Sequence, residues 1–478
     1  MTKLPNINEN FAEWYHEVIS QAELVDPVSP TRGSFVIRPY GYALWENIVA
    51  VLNEKIKESG TQNIYMPLLI PEAFLTREAK HVEGFAPEVA VVTHAGGKKL
   101  EEPLVIRPTS ETMVYFMFSR WIKSWRDLPL KINQWANVVR WEMRTRPFLR
   151  TCEFLWQEGH TAHATQVEAQ EMALHMLGVY KELAQDYLAI PVITGQKSES
   201  ERFPGADATY TFEGLMQDGK ALQMGTSHML TRSFVEAFDV YFQNTEGQQE
   251  VPYCTSWGAT TRLIGALVMT HGDENGLIMP PKVAPIQVVI VPIFKSDDQK
   301  TLVLERAQKI AADLKQQGIR VKLDDDEQKT PGAKFFHWEV RGVPVRLEIG
   351  PKDVENNQVV LVNRMEPDKA KKKLFVSLDL LNSSLHDLLA QIQKGLFERA
   401  EQKRASQWHQ ADTLADFAQK MKDHNGLYQV GWCESPACEQ NLKEFSGTIR
   451  CVLEQSSHKK CFSCGQPSKN DILVAKAY

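Results

Sequence analysis

The sequence predicts a protein of the α/β class with more than one domain. Segments with the pattern of strands alternate with segments that have the pattern of amphipathic helices along most of the chain. The chain has 478 residues, which at roughly 100–200 residues per domain is enough for two to four domains. Hydrophobic residues make up 43% and charged residues 24%, so large buried cores are expected and disorder is not.

Neither a secretory signal nor a membrane span is expected from the sequence. Its start, MTKLPNINENFAEWYHEVIS, lacks the basic region and apolar run of a secretory signal, and no stretch reaches about 18 consecutive apolar residues. These observations predict a cytoplasmic protein. The net charge of −6 does not exclude a nucleic-acid partner, because such a partner needs only a local basic surface.

Four segments of the first part of the chain, up to about Met279, carry the strongest patterns. GYALWENIVAVLNEKIKESGTQNIYMPLLIP predicts a long amphipathic helix and then a strand that enters Pro67. RWEMRTRPFLRTCEFLWQEG predicts two antiparallel strands joined by the basic loop RTRPFLR, with Arg140, Glu142 and Arg144 on one face. ALQMGTSHML follows, and in TSWGATTRLIG Arg262 opens an apolar helix.

A proline-rich linker, MPPKVAPIQ, separates this part from a smaller α/β unit, because its three prolines oppose helix and sheet. IQVVIVPIF predicts a buried strand, KTLVLERAQKIAADLKQQG a helix that ends at Gly318, and IRVKLDD, VPVRLEIG and QVVLVNR further strands. This order predicts a parallel or mixed sheet of about 100 residues in all. A long helix, LHDLLAQIQKGLFERAEQKRASQWHQA, leads into the tail.

The tail predicts a structural zinc site. Cys433 and Cys438 in CESPAC, and Cys461 and Cys464 in CFSCG, form two short cysteine pairs that can close a tetrahedral sulfur site. Four protein ligands leave no open position, so the zinc would be structural. The alternative is four unrelated thiols in a reducing compartment. Cys451 lies outside the pairs, in the strand pattern TIRCVLEQ.

The hairpin that carries Arg140 has the side-chain types that ATP binding requires. An arginine can neutralise a phosphate with two hydrogen bonds, a carboxylate can accept from the adenine amino group, and an aromatic ring can stack on the base. The alternative is a solvated charged face on an ordinary antiparallel hairpin.

In this order, the segments resemble the three signature motifs of the class II aminoacyl-tRNA synthetases. The first is the helix and strand ending at Pro67, the second is the hairpin with Arg140 and Glu142, and the third is the helix opened by Arg262. RPTSE, FLWQEGHTAHAT and GTSHML are similar to the prolyl-tRNA synthetases in particular. The α/β unit resembles their anticodon-binding domain, and the tail resembles the zinc domain of the archaeal/eukaryotic-type branch. The resemblance covers essentially the whole chain.

The resemblance implies an α+β catalytic domain on an antiparallel sheet at residues 1–280, an α/β anticodon-binding domain at 281–390 and a zinc-binding α+β domain at 391–478. It implies a proline–tRNA ligase that uses ATP and Mg²⁺ to form prolyl-adenylate and then charges the 3′ end of tRNA(Pro). It also implies a homodimer, because the first motif forms the dimer interface in this class. The C-terminal carboxylate of Tyr478 would lie toward the catalytic domain.

The resemblance also assigns site residues. It implies that Arg140 and Arg262 are the catalytic residues. The ATP contacts would be Arg140, Glu142, Arg150, Thr151, Phe154, Gln223, Thr226, Thr260 and Arg262. The proline contacts would be Thr109, Glu111, Arg140 and His228, although His228 taken alone would be expected to be a core histidine. Cys152 departs from the arginine that many relatives carry there, and we expect it to be a small, half-buried residue.

Two further expectations concern tRNA. In HWEVRGVPVRLEIGPKD, Glu339, Arg346, Lys352 and Asp353 offer donors and acceptors that suit a G-rich anticodon, the alternative being a solvated strand end. The chain between Phe154 and Leu222 is too short for the large editing insertion of the common bacterial branch, so no hydrolysis of mischarged alanyl-tRNA is expected.

The sequence leaves three alternative functions to consider. Threonyl-, glycyl- and histidyl-tRNA synthetases share the architecture, but threonyl enzymes place zinc in the amino-acid pocket rather than far downstream. A non-catalytic tRNA-binding paralogue would have no need for Arg140, Glu142 and Arg262. A zinc-dependent hydrolase is disfavoured because four cysteines close the metal site.

Overall fold

A computed structural model describes residues 3–75, 88–453 and 456–478 of the chain. Its main feature is an eleven-stranded sheet. Most neighbouring strands in it are antiparallel, and the parallel pairs lie at its two ends. The predicted α/β class, with an antiparallel sheet in the catalytic part, is confirmed.

The strands of the first part are numbered in chain order. They are β1 (Val25–Asp26), β2 (Val36–Ile37), β3 (Gln62–Asn63), β4 (Leu69–Pro71), β5 (Val91–Ala95), β6 (Lys98–Ile106), β7 (Leu130–Val139), β8 (Glu153–His163), β9 (Val192–Gln196), β10 (Ala206–Leu215), β11 (Ala221–Leu230), β12 (Phe242–Gln243), β13 (Gln249–Glu250) and β14 (Tyr253–Thr260). In the large sheet these run in the order β9-β10-β11-β14-β8-β7-β3.

Helices cover this sheet and bury its apolar face. They are α1 (Phe11–Gln21), α2 (Pro39–Glu58), α3 (Glu111–Trp121), α4 (Gln166–Glu182), α5 (Arg232–Glu236) and α6 (Arg262–His271). The start of α4 is fixed by a capping box, in which the Thr165 hydroxyl accepts from the Glu168 N–H and the Glu168 carboxylate accepts from the Thr165 N–H. Helix α6 is apolar and buried from its second residue to its last, as its sequence predicts.

The second part is a five-stranded mixed sheet in the order β16-β15-β17-β18-β19. Its elements are β15 (Val288–Pro292), α7 (Asp297–Gln316), β16 (Val321–Leu323), α8 (Pro331–Val340), β17 (Val345–Ile349), α9 (Pro351–Glu355), β18 (Gln358–Asn363), β19 (Lys373–Ser377) and α10 (Leu381–Ser406). The predicted strand–helix–strand order is confirmed. Helix α10 continues through residue 390, where a domain boundary is predicted, and its buried leucines belong to the core of this part.

The C-terminal part extends the catalytic sheet. It contains β20 (Trp408–Gln410), α11 (Leu414–Asp423), β21 (Leu427–Trp432), α12 (Pro436–Gln440), β22 (Thr448–Val452) and β23 (Asn470–Ala475). Strand β22 meets β9 through the pair Val452 and Gln196, so β20-β21-β23-β22 joins the eleven strands. Cys451 lies on β22 as predicted, and residues 454–455 of the same pattern lie outside the described residues.

Two predictions of local structure are wrong. Strand β7 ends at Val139, so Arg140, Glu142 and Arg144 do not alternate on a strand but begin a long connection to β8. Phe148 within this connection has a φ of 62°, which cannot continue a strand. The strand predicted to enter Pro67 is only the two-residue β3, since the chain then leaves the edge of the sheet.

Within the described residues, none of the helices combines the length and the apolar character that crossing a bilayer needs.

Candidate active site

One cleft of about 550 Å³ lies over the centre of the large sheet. All twelve residues that the sequence analysis assigns to ATP and proline line it. They are Thr109, Glu111, Arg140, Glu142, Arg150, Thr151, Phe154, Gln223, Thr226, His228, Thr260 and Arg262. They come from strands β8, β11 and β14, from the connection before β8, from the residues around the start of α3 and from the first residue of α6.

Arg140 stands in the middle of the cleft, directly after β7. Its Nε donates to the carbonyl of Pro108 at 2.9 Å. Its guanidinium lies 5.7 Å from the ring centre of Phe154 and 5.3 Å from that of Trp156. Burial lowers its pKa, and Glu111 and Glu158 act in the opposite direction. The result is a fixed cation between two aromatic rings and two carboxylates.

Arg262, the first residue of α6, is held at another wall of the same cleft. Its Nε donates to the carbonyl of Leu149 at 3.2 Å and its Nη1 to the carbonyl of Gln223 at 3.1 Å. Its backbone N–H donates to the Thr260 hydroxyl at 3.0 Å. Burial, with a further contribution from Arg150, lowers its pKa to about 10, so the side chain remains a cation at neutral pH.

A buried carboxylate network closes one end of the cleft. Glu158 accepts from the Ser110 N–H at 3.1 Å, from the Ser110 hydroxyl at 2.5 Å and from the Gln134 amide at 2.9 Å. The Thr109 hydroxyl donates to Glu111 beside it. Burial opposes the ionisation of Glu158, but His160 at 3.3 Å and the other donors outweigh it and lower the pKa of Glu158. This end of the cleft can therefore receive a positively charged amine.

His228 forms part of the wall at this end. Its ring nitrogens lie 2.9 Å from the hydroxyls of Thr209 and Thr226, so both nitrogens have hydrogen-bond partners. Burial, with a smaller effect of His160, lowers its pKa to about 3. His228 is thus neutral, and it adds no charge to the pocket near Arg140.

The opposite end of the cleft is more open and more basic. Arg150 and Glu142 form an ion pair at 3.7 Å, and Arg150 Nη2 also donates to the carbonyl oxygen of Tyr478 at 3.3 Å. The Tyr478 hydroxyl donates to Asp218 at 2.8 Å. The C-terminal residue therefore lies toward the catalytic part, as expected. Cys152 is more buried than expected, because its N–H bonds to Gly33 and the loop before α2 covers it.

Several residues of the site were missed in the sequence. Trp156, Glu158, His160, Phe203 and Ser256 also line the cleft. For the first three a signal was present, since they follow Phe154 at every second position of β8 and therefore share its face. Phe203 and Ser256 come from a loop and from a different strand, and no spacing rule connects them to β8.

The four cysteines of the tail meet at one point. The sulfur atoms of Cys433, Cys438, Cys461 and Cys464 all lie within 4.8 Å of one another. Cys433 Sγ is 3.7 Å from the sulfurs of both Cys438 and Cys464. A tetrahedral zinc with Zn–S bonds of about 2.3 Å requires sulfur atoms about 3.8 Å apart. The cluster therefore fits structural zinc, with no position left for a substrate.

The residues assigned to the anticodon are less closely grouped. Glu339 and Arg346 line a small cavity beside β15, together with Trp338, Arg364 and Lys372. Lys352 and Asp353 belong to α9, where Asp353 accepts from the Gly350 N–H at 2.9 Å and caps the helix. Arg346 donates to Glu348 through two nitrogens and stacks on Phe335 at 4.1 Å.

Comparison with known proteins first defines the class. The family profile of the tRNA synthetase class II core domain (G, H, P, S and T) matches residues 93–271. An anticodon binding domain profile matches residues 287–384, and a profile named Prolyl-tRNA synthetase, C-terminal, matches residues 414–478. A catalytic core of this kind beside an anticodon-binding domain is that of a class II aminoacyl-tRNA synthetase.

Whole-chain similarity defines the particular family. The proline–tRNA ligase of Acetoanaerobium sticklandii is 51% identical over 99% of this chain and 98% of its own. The chloroplastic/mitochondrial proline–tRNA ligase of Arabidopsis thaliana is 50% identical over 98% of this chain and 87% of its own. The crystal structure of prolyl-tRNA synthetase from Cryptosporidium parvum complexed with halofuginone and AMPPNP has a TM-score of 0.92, with 41% identity over 99% of both chains. The chain belongs to the prolyl-tRNA synthetases, a family of ligases.

Proposed function

We propose that this chain catalyses both steps of proline–tRNA ligation. In the first step, a carboxylate oxygen of L-proline attacks the α-phosphorus of ATP, the bond to the β-phosphate breaks, and prolyl-adenylate and pyrophosphate form. In the second, a ribose hydroxyl at the 3′ end of tRNA(Pro) attacks the prolyl carbonyl and AMP leaves. Family membership makes the protein a proline–tRNA ligase. The observation that carries the assignment of its site is the single cleft that holds both Arg140 and Arg262.

Arg140 is proposed to bind the proline carboxylate and the α-phosphate at once. Its position between the carboxylate network and Phe154 supports this role. The guanidinium reduces the repulsion between two anions that must approach to bond distance, and its hydrogen bond to Pro108 means that little reorganisation is needed during the reaction. Neither a nucleophilic side chain nor a general base is required.

The carboxylate network is proposed to hold proline. The secondary ammonium of proline has two N–H donors, which suit Glu111 and, among the residues that sequence reasoning missed, Glu158. Thr109 would orient Glu111, as their hydrogen bond indicates. Neutral His228 would form a wall of the pocket without repelling the ammonium.

The open end of the cleft is proposed to hold ATP. Phe154 offers its ring to the adenine, and Arg262 would bind the γ-phosphate side as a fixed cation. The remaining contacts would be made by Glu142, Arg150, Thr151, Gln223, Thr226 and Thr260. Mg²⁺ would accompany ATP, since this ion is usually held by substrate phosphates and water, and it neutralises phosphate charge when bound.

The three-part organisation is proposed with boundaries at 1–280, 281–390 and 391–478. The middle part would read the anticodon of tRNA(Pro). The cavity beside β15, which Glu339 and Arg346 line, supports this role for those two residues. The same role for Lys352 and Asp353 is a prediction from the sequence. Zinc held by the four cysteines would stabilise the last part.

We further propose a cytoplasmic homodimer. Exposed aromatic residues of the first motif, including Tyr42 and Tyr65, would be covered by the partner subunit. Light scattering of the purified protein should give about twice the 54.4 kDa of the chain, and a monomeric mass would contradict the dimer. Fractionation of the source cells tests the location.

The decisive experiment is amino-acid-dependent ATP–pyrophosphate exchange with all twenty amino acids. Proline should support exchange best, and Arg140→Ala should lower it by about 10²-fold or more, because a fixed cation at the transition state is lost. Arg144→Ala is the matched control. It removes an exposed arginine from the same connection, one that does not line the cleft, and should stay within about threefold of the parent. Equal exchange with another amino acid, or an active Arg140→Ala, would overturn the assignment.

A further inference from the structure

The catalytic part and the middle part are joined by a close backbone contact. The segment after α6 lies against the turn after α8, where the Leu277 N–H donates to the Val340 carbonyl at 2.9 Å and the Met279 N–H to the Gly342 carbonyl at 3.0 Å. At Gly342, whose φ is 69°, a Cβ would lie 2.5 Å from the backbone of Leu277. The two parts therefore approach as closely as paired strands do, and there is no space for an intervening side chain.

Arg364 bonds to both parts within this contact. Its Nη1 and Nη2 donate to the two carboxylate oxygens of Asp273 at 2.9 and 2.6 Å, and its Nε donates to the carbonyl of Glu339 at 3.0 Å. The Asp273 carbonyl in turn accepts from the Trp14 indole at 3.0 Å. Arg364 is buried, and its two-pronged geometry leaves little rotational freedom.

Each end of this bridge leads to a site. On the catalytic side, Asp273 follows α6, the buried helix whose first residue is Arg262 of the cleft. The same end of α6 is held a second time, because Arg399 donates to the carbonyl of His271, the last residue of the helix, at 2.7 Å. On the other side, Glu339 lines the cavity beside β15, where its carboxylate pairs with Lys372 at 2.7 Å.

We propose that Arg364 and Asp273 are positioning residues that make the rate of prolyl transfer depend on the anticodon. This inference rests on the proposed function and goes beyond it. A tRNA held by its anticodon can use that binding energy to orient its 3′ end only if the two sites are joined rigidly. The Arg364 bridge supplies the rigid joint, because one guanidinium fixes the backbone of Glu339 relative to the end of α6. Adenylate formation, which involves no tRNA, does not need the joint.

The test compares two reactions in the same variants. For Asp273→Asn and Arg364→Gln, proline-dependent ATP–pyrophosphate exchange should stay within about twofold of the parent. The kcat of charging a cognate tRNA(Pro) transcript should fall about tenfold or more, with little change in KM for tRNA. The variants should charge a transcript with altered anticodon bases as slowly as the parent does. The ratio of the charging kcat of the cognate transcript to that of the altered transcript should therefore decrease strongly in the variants.

Further variants separate a specific role from general damage. Arg364→Lys keeps the charge but loses the two-pronged geometry, and should recover only part of the ratio. Asp273→Asn combined with Arg364→Gln should be no worse than either change alone, since both remove one interaction. Lys300→Gln breaks the exposed Lys300–Glu327 pair of the same part and should change nothing. Asp273→Asn conserves side-chain volume, and it decides the question if Arg364→Gln does not fold.

The outcomes are distinguishable. If the parent shows no proline-dependent exchange, the proposed function itself fails. If the parent is active and the Asp273→Asn variant keeps the same ratio of charging kcat between the two transcripts, the Arg364 bridge does not couple anticodon recognition to prolyl transfer. A loss that appears equally in exchange and in charging would also overturn the inference, because it would mean that the pair merely supports the catalytic fold.

Discussion

The pKa of a histidine side chain depends strongly on its surroundings in this protein. Burial lowers the pKa of His163 to about 4, and those of His228 and His271 to about 3. His160 is equally buried, but Glu158 accepts from it and raises its pKa. Three histidines of the same catalytic part are thus held neutral at pH 7, whereas the pKa of the fourth is shifted in the opposite direction. No property of the residue itself predicts this difference.

These neutral histidines predict a loss of stability in mild acid. Their folded pKa values lie below the unfolded value of about 6.5, so the unfolded chain binds more protons as the pH falls from 6.5 toward 4. Stability is full above pH 6.5 and decreases below it, by up to about 2 kcal/mol per histidine at pH 5. His160 acts in the opposite direction. The free energy of unfolding, measured in urea at pH 7, 6 and 5, should therefore decrease.

A variant at His271 provides the control for this prediction. His271 lies outside the cleft, and its Nε2 contacts the carbonyl of Leu188 at 2.8 Å. His271→Gln keeps a donor but cannot titrate, so the slope of stability against pH should fall by about one proton. An unchanged slope would mean that His271 is not held neutral in the folded protein.

At the scale of elements, strand β8 carries much of the site. Its alternating residues from Phe154 to His160 share one face, while on the other face Gly159 leaves room for the ring of Trp257. The connection before β8 is irregular, and this lets Arg140 turn back to the carbonyl of Pro108.

A buried network of ion pairs connects the C-terminal strands to the catalytic sheet. Glu213 on β10 is fully buried and binds Lys197 at 2.7 Å and Arg450 of β22 at 2.8 Å. Burial opposes its ionisation, but Arg450 and Lys197 outweigh it and lower its pKa. Removing one partner from such a buried group costs about 3–5 kcal/mol. This network fixes the C-terminal part against the catalytic sheet where, among the described residues, the pair Val452 and Gln196 joins β22 to β9.

The zinc cluster should determine whether the C-terminal part folds. Cys461→Ser removes one of four ligands, so zinc content should fall from about one equivalent to less than half, and the thermal transition of this part should shift down. Metal analysis and calorimetry measure both quantities. Cys451→Ala is the matched control, because this buried cysteine lies outside the cluster and its loss should leave zinc in place. A parent protein with less than half an equivalent of zinc would contradict the assignment.

At the scale of the whole molecule, the three parts form one connected structure. The large sheet runs from the catalytic part into the C-terminal part, and Arg364 with the contact at Gly342 attaches the middle part. Tyr478 returns to the connection before β8. Each contact joins residues far apart in the sequence, which local patterns do not reveal.

The short chain between β8 and β11 leads to a prediction for the whole enzyme. The chain between β8 and β11 is occupied by α4, β9 and β10, all of them part of the catalytic layer. The purified protein should therefore not accelerate the deacylation of alanyl-tRNA above the rate in buffer. In this pocket a small difference in apolar size between proline and alanine would contribute about 1–3 kcal/mol of discrimination. Rapid release of alanine from alanyl-tRNA by the purified enzyme would contradict the prediction.

The sequence by itself determined the α/β class, the order of helices and strands after Met279, the four zinc-type cysteines and the family. These depend on local periodicity, spacing and motif order, which the chain carries without folding. Only the tertiary structure decided that β7 stops before Arg140, that Glu158 and His160 complete the pocket, and that Arg364 meets Asp273. Those features arise from burial and from contacts between distant segments, and such contacts exist only once the core has formed.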